Sequence, residues 1–155
     1  MPHRAPTFEF KLMTRSRTLV DCRVSMLIVP AHDGQLGLMR NHSPIITRLG
    51  LGIMYAKGVT DHDYNPLPES FHLIDDGIVR MSDNRATVLA YDVTGLEGME
   101  MDRVEEMLEE ANKLLAGDAF TTQARQHLIK KASLIKQLAK LADLPRQTQQ
   151  VSKTE

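Results

Sequence analysis

Six histidines, one cysteine and a scatter of aspartates are the side chains of this 155-residue chain whose types could do chemistry. His32-Asp33 and Asp61-His62-Asp63 set imidazole beside carboxylate, and with His42 or His72 such groups could ligate a metal. Neither has the tight spacing of a metal motif such as HExxH, and His32 and His62 fall among turn-forming residues, where histidine is usually solvent-exposed. Cys22 is the only cysteine, which excludes an internal disulfide and a CxxC metal site. It lies in an alternating apolar run and reads as a core thiol, not a nucleophile. No GxSxG elbow and no GxxxxGK phosphate loop occurs, and Gly34-x-x-Gly37 is too short for a dinucleotide site. The expectation is a chain with no catalytic residue, no metal and no cofactor.

Composition narrows the class further. Nineteen Lys and Arg against 20 Asp and Glu leave no basic excess of the kind that general nucleic-acid binding needs. No apolar run approaches the roughly 18 residues that would span a bilayer. Met1 to Pro6 has no apolar stretch and is too short for a transit peptide. A single cysteine suits a thiol-compatible compartment, meaning cytosol, stroma or matrix. Membrane association is therefore expected only through a partner.

The elements that would position these residues change character partway along. Phe8, Phe10 and Leu12 alternate with Glu9 and Lys11, the period of a half-buried strand, and Cys22, Val24, Met26 and Ile28 read as another. Further strands are predicted at 52–57, 71–74, 78–82 and 86–91, with Asp75-Asp-Gly77 and Ser82-Asp-Asn84 as turns. Residues 57–69, with Gly58, Pro66 and Pro68, read as an exposed hairpin loop. Short strands and frequent turns predict a β-sandwich or flattened barrel over 1–92. From 93 to 144 an antiparallel α-helical hairpin is predicted. Thr94 and Glu97 form a possible capping box, Val104, Met107, Leu108, Ala111, Leu114 and Leu115 make an apolar stripe, and Gly117 ends the first helix. Ala124, Leu128, Ala132, Ile135, Leu138 and Ala142 mark the second helix, which Pro145 stops, leaving 145–155 as a polar, disordered tail.

The two helices are oppositely charged. Seven acids between Glu97 and Lys113 face only Arg103 and Lys113, a net −5, whereas 121–141 holds Arg125, Lys130, Lys131, Lys136 and Lys140 with no acid, a net +5. They can be the solvated faces of two amphipathic helices, or the second helix can have an acidic partner. Exposed ion pairs contribute only ~0.2–1 kcal/mol each. Packing should therefore hold the hairpin, and charge should choose what it meets.

Glycines and prolines punctuate 29–52, and this segment carries a recognisable pattern. Val29, Pro30, Gly34, Gly37, Leu38, Met39, His42, Pro44, Ile46, Thr47, Leu49 and Gly52 fill one motif. Phe71, Leu73, Gly77, Ile78, Asn84, Thr87, Val88, Leu89 and Ala90 fill a second. Through both, the chain resembles the epsilon subunit family of F-type ATP synthase (delta in mitochondria) over residues 7–142. The resemblance implies a non-catalytic rotor subunit that couples the gamma stalk to the membrane c-ring in proton-driven ATP synthesis. It would lie peripherally on the cytoplasmic face of a bacterial inner membrane, or on the stromal or matrix face in an organelle.

The resemblance implies that Gln35, Leu36, Gly37, Asn41, His42 and Ser43 form the turn facing the c-ring or gamma. It also implies that basic 120–142, through Arg125, Lys130, Lys131, Lys136 and Lys140, can meet the catalytic alpha and beta subunits and inhibit ATP hydrolysis. Several departures matter, among them Asp76 where the family commonly has a second glycine before Gly77 and a slightly long 57–69 loop. The family often has Glu where this chain has Gln35. Of the short ATP-binding motif that opens the first helix in some relatives, only Asp102 matches, so ATP binding should be weak or absent. The competing reading is a stand-alone β-domain protein, such as a small metal-dependent enzyme.

Overall fold

The computed structural model describes residues 5–95, 101–117 and 122–152, the side chains of 101–103 and 142–152 excepted. The chain divides into two compact units, Met1–Thr94 and Gly95–Glu155. The first contains seven strands: β1 (Phe8–Met13), β2 (Thr18–Val24), β3 (Met26–Ala31), β4 (Gly34–Met39), β5 (Ile45–Lys57), β6 (Ser70–Ser82) and β7 (Arg85–Gly95). They form one sheet in the order β2-β1-β7-β6-β5-β3-β4, open at both edges. β1 runs parallel to β7 and antiparallel to β2. A single apolar core takes Phe8, Phe10 and Val88 from one half of the sheet and Leu27, Val29 and Leu38 from the other. The halves must therefore face each other as a β-sandwich, not a closed barrel.

Several expected boundaries move. The apolar alternation from Cys22 to Ile28 is not one strand. The chain bends at Ser25, whose N–H and Oγ both donate to Lys57 O at 3.0 Å. The phase slips by one residue there: Cys22 and Val24 are buried in β2, and Leu27 and Val29, not Met26 and Ile28, are buried in β3. Asp75-Asp-Gly77 is not a turn between two strands either, since β6 continues through it with Asp76 at φ +63°. Gly77 is required there by close approach: a Cβ would sit 2.5 Å from Leu89 O and 2.9 Å from Ala90 Cα. β5 begins at Ile45, seven residues before the predicted start.

Thr94 lies inside β7, so it caps no helix, and Glu97 falls outside the described residues. The second unit has α1 (Met101–Ala116) and α2 (Thr122–Ser152), which pack against each other. Val104, Ala111, Ile135, Leu138 and Ala139 are buried, whereas Leu114 and Ile129 of the predicted stripes are about half exposed. α2 runs past Pro145 to Ser152 instead of giving way to a disordered tail. A proline removes one helical hydrogen bond and costs ~3 kcal/mol, a penalty that helix-favouring neighbours such as Leu144, Arg146 and Gln147 can offset in part.

Candidate partner-binding surface

Gln35, Leu36, Gly37, Asn41, His42 and Ser43 do not form one turn. Gln35, Leu36 and Gly37 lie within β4, an outer strand of the sheet. Leu36 and Leu38 turn inward and make a strand of this segment, and Gln35 and Gly37 are exposed. Asn41, His42 and Ser43 follow the far end of β4. A six-residue strand spans about 20 Å, so the two groups are separate features.

The turn at the Gln35 end is held by its neighbours. Gly34 supplies φ +137° after His32-Asp33, and the His32 N–H donates to Arg48 O at 3.0 Å. Pro30 presses on Gly52, where a Cβ would be 2.5 Å away, which ties two positions of the punctuated segment together. Arg48 meets Asp76 at 3.5 Å beside it.

The turn at the His42 end is locked to β6–β7. Asn41 and Asn84 both adopt left-handed φ, +65° and +57°. The Asn41 N–H donates to Asn84 Oδ1 at 2.7 Å, and Asn84 Nδ2 donates to Asn41 Oδ1 at 3.2 Å. His42 is half-buried; its N–H donates to Met39 O at 3.1 Å and its Nδ1 to Ser43 O at 2.7 Å. The imidazole thus braces the turn. Nearby, Arg23 is held by Thr7 Oγ1 at 3.0 Å, by Glu9 at 3.9 Å and over the Tyr64 ring, and Arg85 meets Glu9 at 2.9 Å. These groups line a polar cleft of about 450 Å³.

A different surface went unnoticed in the sequence. Ile46, Ile78, Leu89 and Tyr91 are 45–71% exposed and gather around Gly77 beside Arg15, lining a second, more apolar cleft of about 470 Å³. The available signal is that β7 reads Ala86-Thr-Val-Leu-Ala-Tyr91, apolar on both faces instead of one. An exposed apolar group of this kind marks a contact surface.

The histidines do not converge. His62 Nε2 bonds Asp21 at 2.8 Å, His72 Nδ1 lies 3.0 Å from Ser70 Oγ, and His32 stands at its own turn. Among the described residues, no three His, Cys, Asp or Glu gather where they could hold a metal. Cys22 is buried, and burial first, with the Asp21 charge second, pushes its pKa up to about 11. The thiol is therefore protonated at neutral pH. On α2, Arg125, Lys130, Lys136 and Lys140 are exposed and Lys131 is half-buried, with Arg125 donating to Gly117 O at 3.3 Å. Asp102 belongs to the first turn of α1, its side chain outside the described residues.

Residues 7–95 match the family model for the ATP synthase delta/epsilon chain, β-sandwich domain. The chain is 34% identical over 116 residues to the ATP synthase epsilon chain of Latilactobacillus sakei, covering 75% of this chain and 74% of that one. It shares its fold with a chain in the cryo-EM structure of the Euglena gracilis mitochondrial ATP synthase OSCP/F1/c-ring assembly. The TM-score there is 0.62 at 14% identity, covering 91% of this chain and 85% of that one. A chain of the Tetrahymena thermophila mitochondrial ATP synthase central stalk/c-ring gives a TM-score of 0.53 at 13% identity, with 86% and 97% covered.

Proposed function

This chain belongs to the ATP synthase epsilon family, and from that membership we propose that it is a non-catalytic rotor subunit coupling the gamma stalk to the c-ring in proton-driven ATP synthesis. The observation that carries this reading is the family match over 7–95, the segment that folds as the sandwich. Its exposed apolar face around Ile46, Ile78, Leu89 and Tyr91 suits a permanent seat on another subunit, with gamma as the partner. The hairpin turn at His32-Asp33-Gly34, with Gln35 beside it, presents a polar, glycine-fixed surface that suits the polar loops of the c-ring. No helix of the described residues is long and apolar enough to cross a membrane. The subunit lies at the membrane through its complex, on the cytoplasmic, stromal or matrix face. Co-purification with gamma tests the reading; a chain that elutes alone from every preparation of the complex would falsify it.

The charge of α2 favours a second role for the 93–144 hairpin, inhibition of ATP hydrolysis. Four exposed cations on one helix, with no acid between 121 and 141, suit acidic segments of the catalytic subunits. Such a switch requires two hairpin positions differing by only a few kcal/mol. Truncation after Gly95 keeps β7 whole and should raise the ATPase activity of the assembled head. Unchanged activity under all nucleotide conditions leaves the hairpin a structural role only.

A further inference from the structure

Three adjacent strands set a row of charge on the side of the sheet away from the core. Glu9 on β1, between buried Phe8 and Phe10, stands opposite Arg23 on β2 and opposite Arg85 on β7. One carboxylate therefore serves two guanidiniums: Arg85 Nε lies 2.9 Å from Glu9 Oε2, and Arg23 Nη1 lies 3.9 Å from Glu9 Oε1. The row lines the polar cleft of about 450 Å³, and Arg40 and Asp83 line it too. Three arginines against two carboxylates leave the cleft a surplus of positive charge. A guanidinium has five N–H donors and no acceptor, and this row does not use its donors up. Arg23 gives Nε to Thr7 Oγ1 at 3.0 Å and Nη2 to Thr7 O at 3.3 Å, and Arg85 spends Nε on Glu9. Among the described residues, no acceptor lies within hydrogen-bond distance of Arg23 Nη1, of either Nη of Arg85 or of any Arg40 nitrogen.

The wall of the cleft is an independent observation. Tyr64 adopts φ +66°, a left-handed backbone that bulky side chains rarely take, and its ring centroid lies 5.2 Å from the Arg23 guanidinium carbon. The excursion that carries Tyr64 is tied to β2 by the backbone bonds of 2.9 and 2.8 Å between Arg23 and Thr60 and by His62 on Asp21 at 2.8 Å. Strain of this kind persists where the surroundings over-determine it, and it clusters at ligand sites. The Arg23 side chain, 19% exposed, is thus fixed by Thr7, Glu9 and Tyr64 before any ligand arrives. Arg40 is next to Asn41, whose bonds to Asn84 hold the 40–43 turn against the start of β7.

We propose that this cleft binds a tetrahedral oxyanion, the phosphate group of inorganic phosphate or of a small phosphate monoester. Guanidinium forks match phosphate oxygens bidentately, and a fork that is already ordered loses less freedom on binding. The unused nitrogens of Arg23, Arg85 and Arg40 supply the donors, each from a different segment of the sandwich. The cleft falls within the size range of ligand pockets and has more room than a bare phosphate fills, enough for the remainder of a small ester. Glu9 and Asp83 oppose the anion and hold its affinity to the millimolar range. The site is independent of the rotor reading, which uses neither these arginines nor this cleft.

The test titrates the full chain with sodium phosphate, and separately with glycerol 3-phosphate, against chloride at constant ionic strength and slightly alkaline pH. The amide resonances of Thr7, Arg40 and Arg85 are followed by NMR. Their shifts should saturate with a Kd of about 1 mM. Arg40→Gln and Arg85→Gln should each weaken binding about tenfold, and Arg17→Gln, which removes the same charge outside the cleft, by less than about twofold. Arg40→Gln should melt like wild type, since Arg40 has no side-chain partner among the described residues, so its loss of binding is not a loss of fold. Equal or weaker saturation by the ester identifies the free ion as the ligand, and tighter saturation identifies an ester; either result sustains the site. Shifts that stay linear to about 50 mM in both titrations overturn it. So does saturation that survives Arg40→Gln and Arg85→Gln. Equal weakening by Arg17→Gln and Arg40→Gln also overturns it, because the anion then follows net charge and not the cleft.

Discussion

The sandwich and the helical pair are held by different amounts of buried apolar surface. Among the described residues, nineteen apolar side chains are buried in the sandwich and five in the helices, so most of the hydrophobic stabilisation lies in the first unit. The sandwich also spends backbone freedom on fixed shape: Gly77 against Leu89, Pro30 against Gly52, Asn41 against Asn84. The helical pair segregates charge instead, with exposed Glu105, Glu106, Glu109 and Glu110 on α1 and exposed cations on α2. Interiors packed as densely as the sandwich resist deformation and transmit strain, whereas lightly buried elements open at low free-energy cost. A heavily buried sandwich and a lightly buried helical pair are thus built into one chain.

That contrast can be broken most forcefully in the core. Phe10→Ala empties a fully buried site and should destabilise the sandwich by about 3–5 kcal/mol, a large part of a domain's total. Leu114→Ala, at a position 49% exposed on α1, should change stability by less than about 0.5 kcal/mol. Urea unfolding of the two variants checks both; equal losses would erase the distinction between the units. A smaller loss is expected at the turns. Asn84→Ala removes the acceptor for the Asn41 N–H and places alanine at φ +57°, about 1–2 kcal/mol together. Asn84→Gly keeps the backbone comfortable and should recover part of that loss. If both variants unfold like wild type, the 40–43 turn owes nothing to β6–β7.

The same contrast governs what was legible in the sequence. β1 could be read because Phe8, Phe10 and Leu12 face one core and nothing else competes. β4 could not: its glycines argue for turns, and only two inward leucines make it a strand. Turn chemistry at Asp75-Asp-Gly77 misleads because its glycine answers to Leu89, twelve residues on, not to local backbone reversal. The phase slip at Ser25 depends on which half of the sandwich each strand joins, which no local alternation records. Asn41 and Asn84 sit in different motifs, and only the fold makes them partners. Gln35, Gly37, Asn41 and Ser43 of the expected contact turn are exposed, Leu36 and His42 are half-buried, and the six fall into two groups along the chain. The apolar face went unseen because exposure is not a sequence property.

A still smaller effect should appear in the 58–69 excursion. Asp61 accepts hydrogen bonds from Asn65 Nδ2 at 2.9 Å and from the Asn65 and Asp63 N–H groups at 2.8 and 2.9 Å. These bonds, the Asn65 side chain first, hold its carboxyl below the usual carboxylate range. A depressed folded-state pKa gives stability that is present above the unfolded value and is lost as pH falls through the folded one. The amide resonances of Asp63 and Asn65 should therefore move together on acidification, with a midpoint below that of an ordinary aspartate. Core resonances such as those of Leu27 and Val29, which have no titratable chain neighbour, should stay fixed in that window. A midpoint at the ordinary carboxylate value would mean that the loop is not organised around Asp61.

The smallest expected effect is none, and it bears on the helical pair. ATP recognition at the start of α1 would need a cation for its phosphates. The sequence there runs Met101-Asp-Arg-Val-Glu-Glu106, followed by Glu109 and Glu110: Arg103 is one cation against five acids, at least four of them exposed. Phosphate brought to this face meets like charge, which costs affinity. A ligand binding only the folded state stabilises it by RT ln(1 + [L]/Kd), about 4 kcal/mol at a thousand times Kd and next to nothing well below it. Millimolar ATP should therefore leave the melting of the helical pair unchanged, followed by far-UV circular dichroism with magnesium held constant. A rise of several degrees, saturating at micromolar ATP, would show that the acidic face does not govern recognition. The helical pair would then be held by nucleotide as well as by its few buried side chains, and the contrast with the sandwich would depend on the ATP concentration.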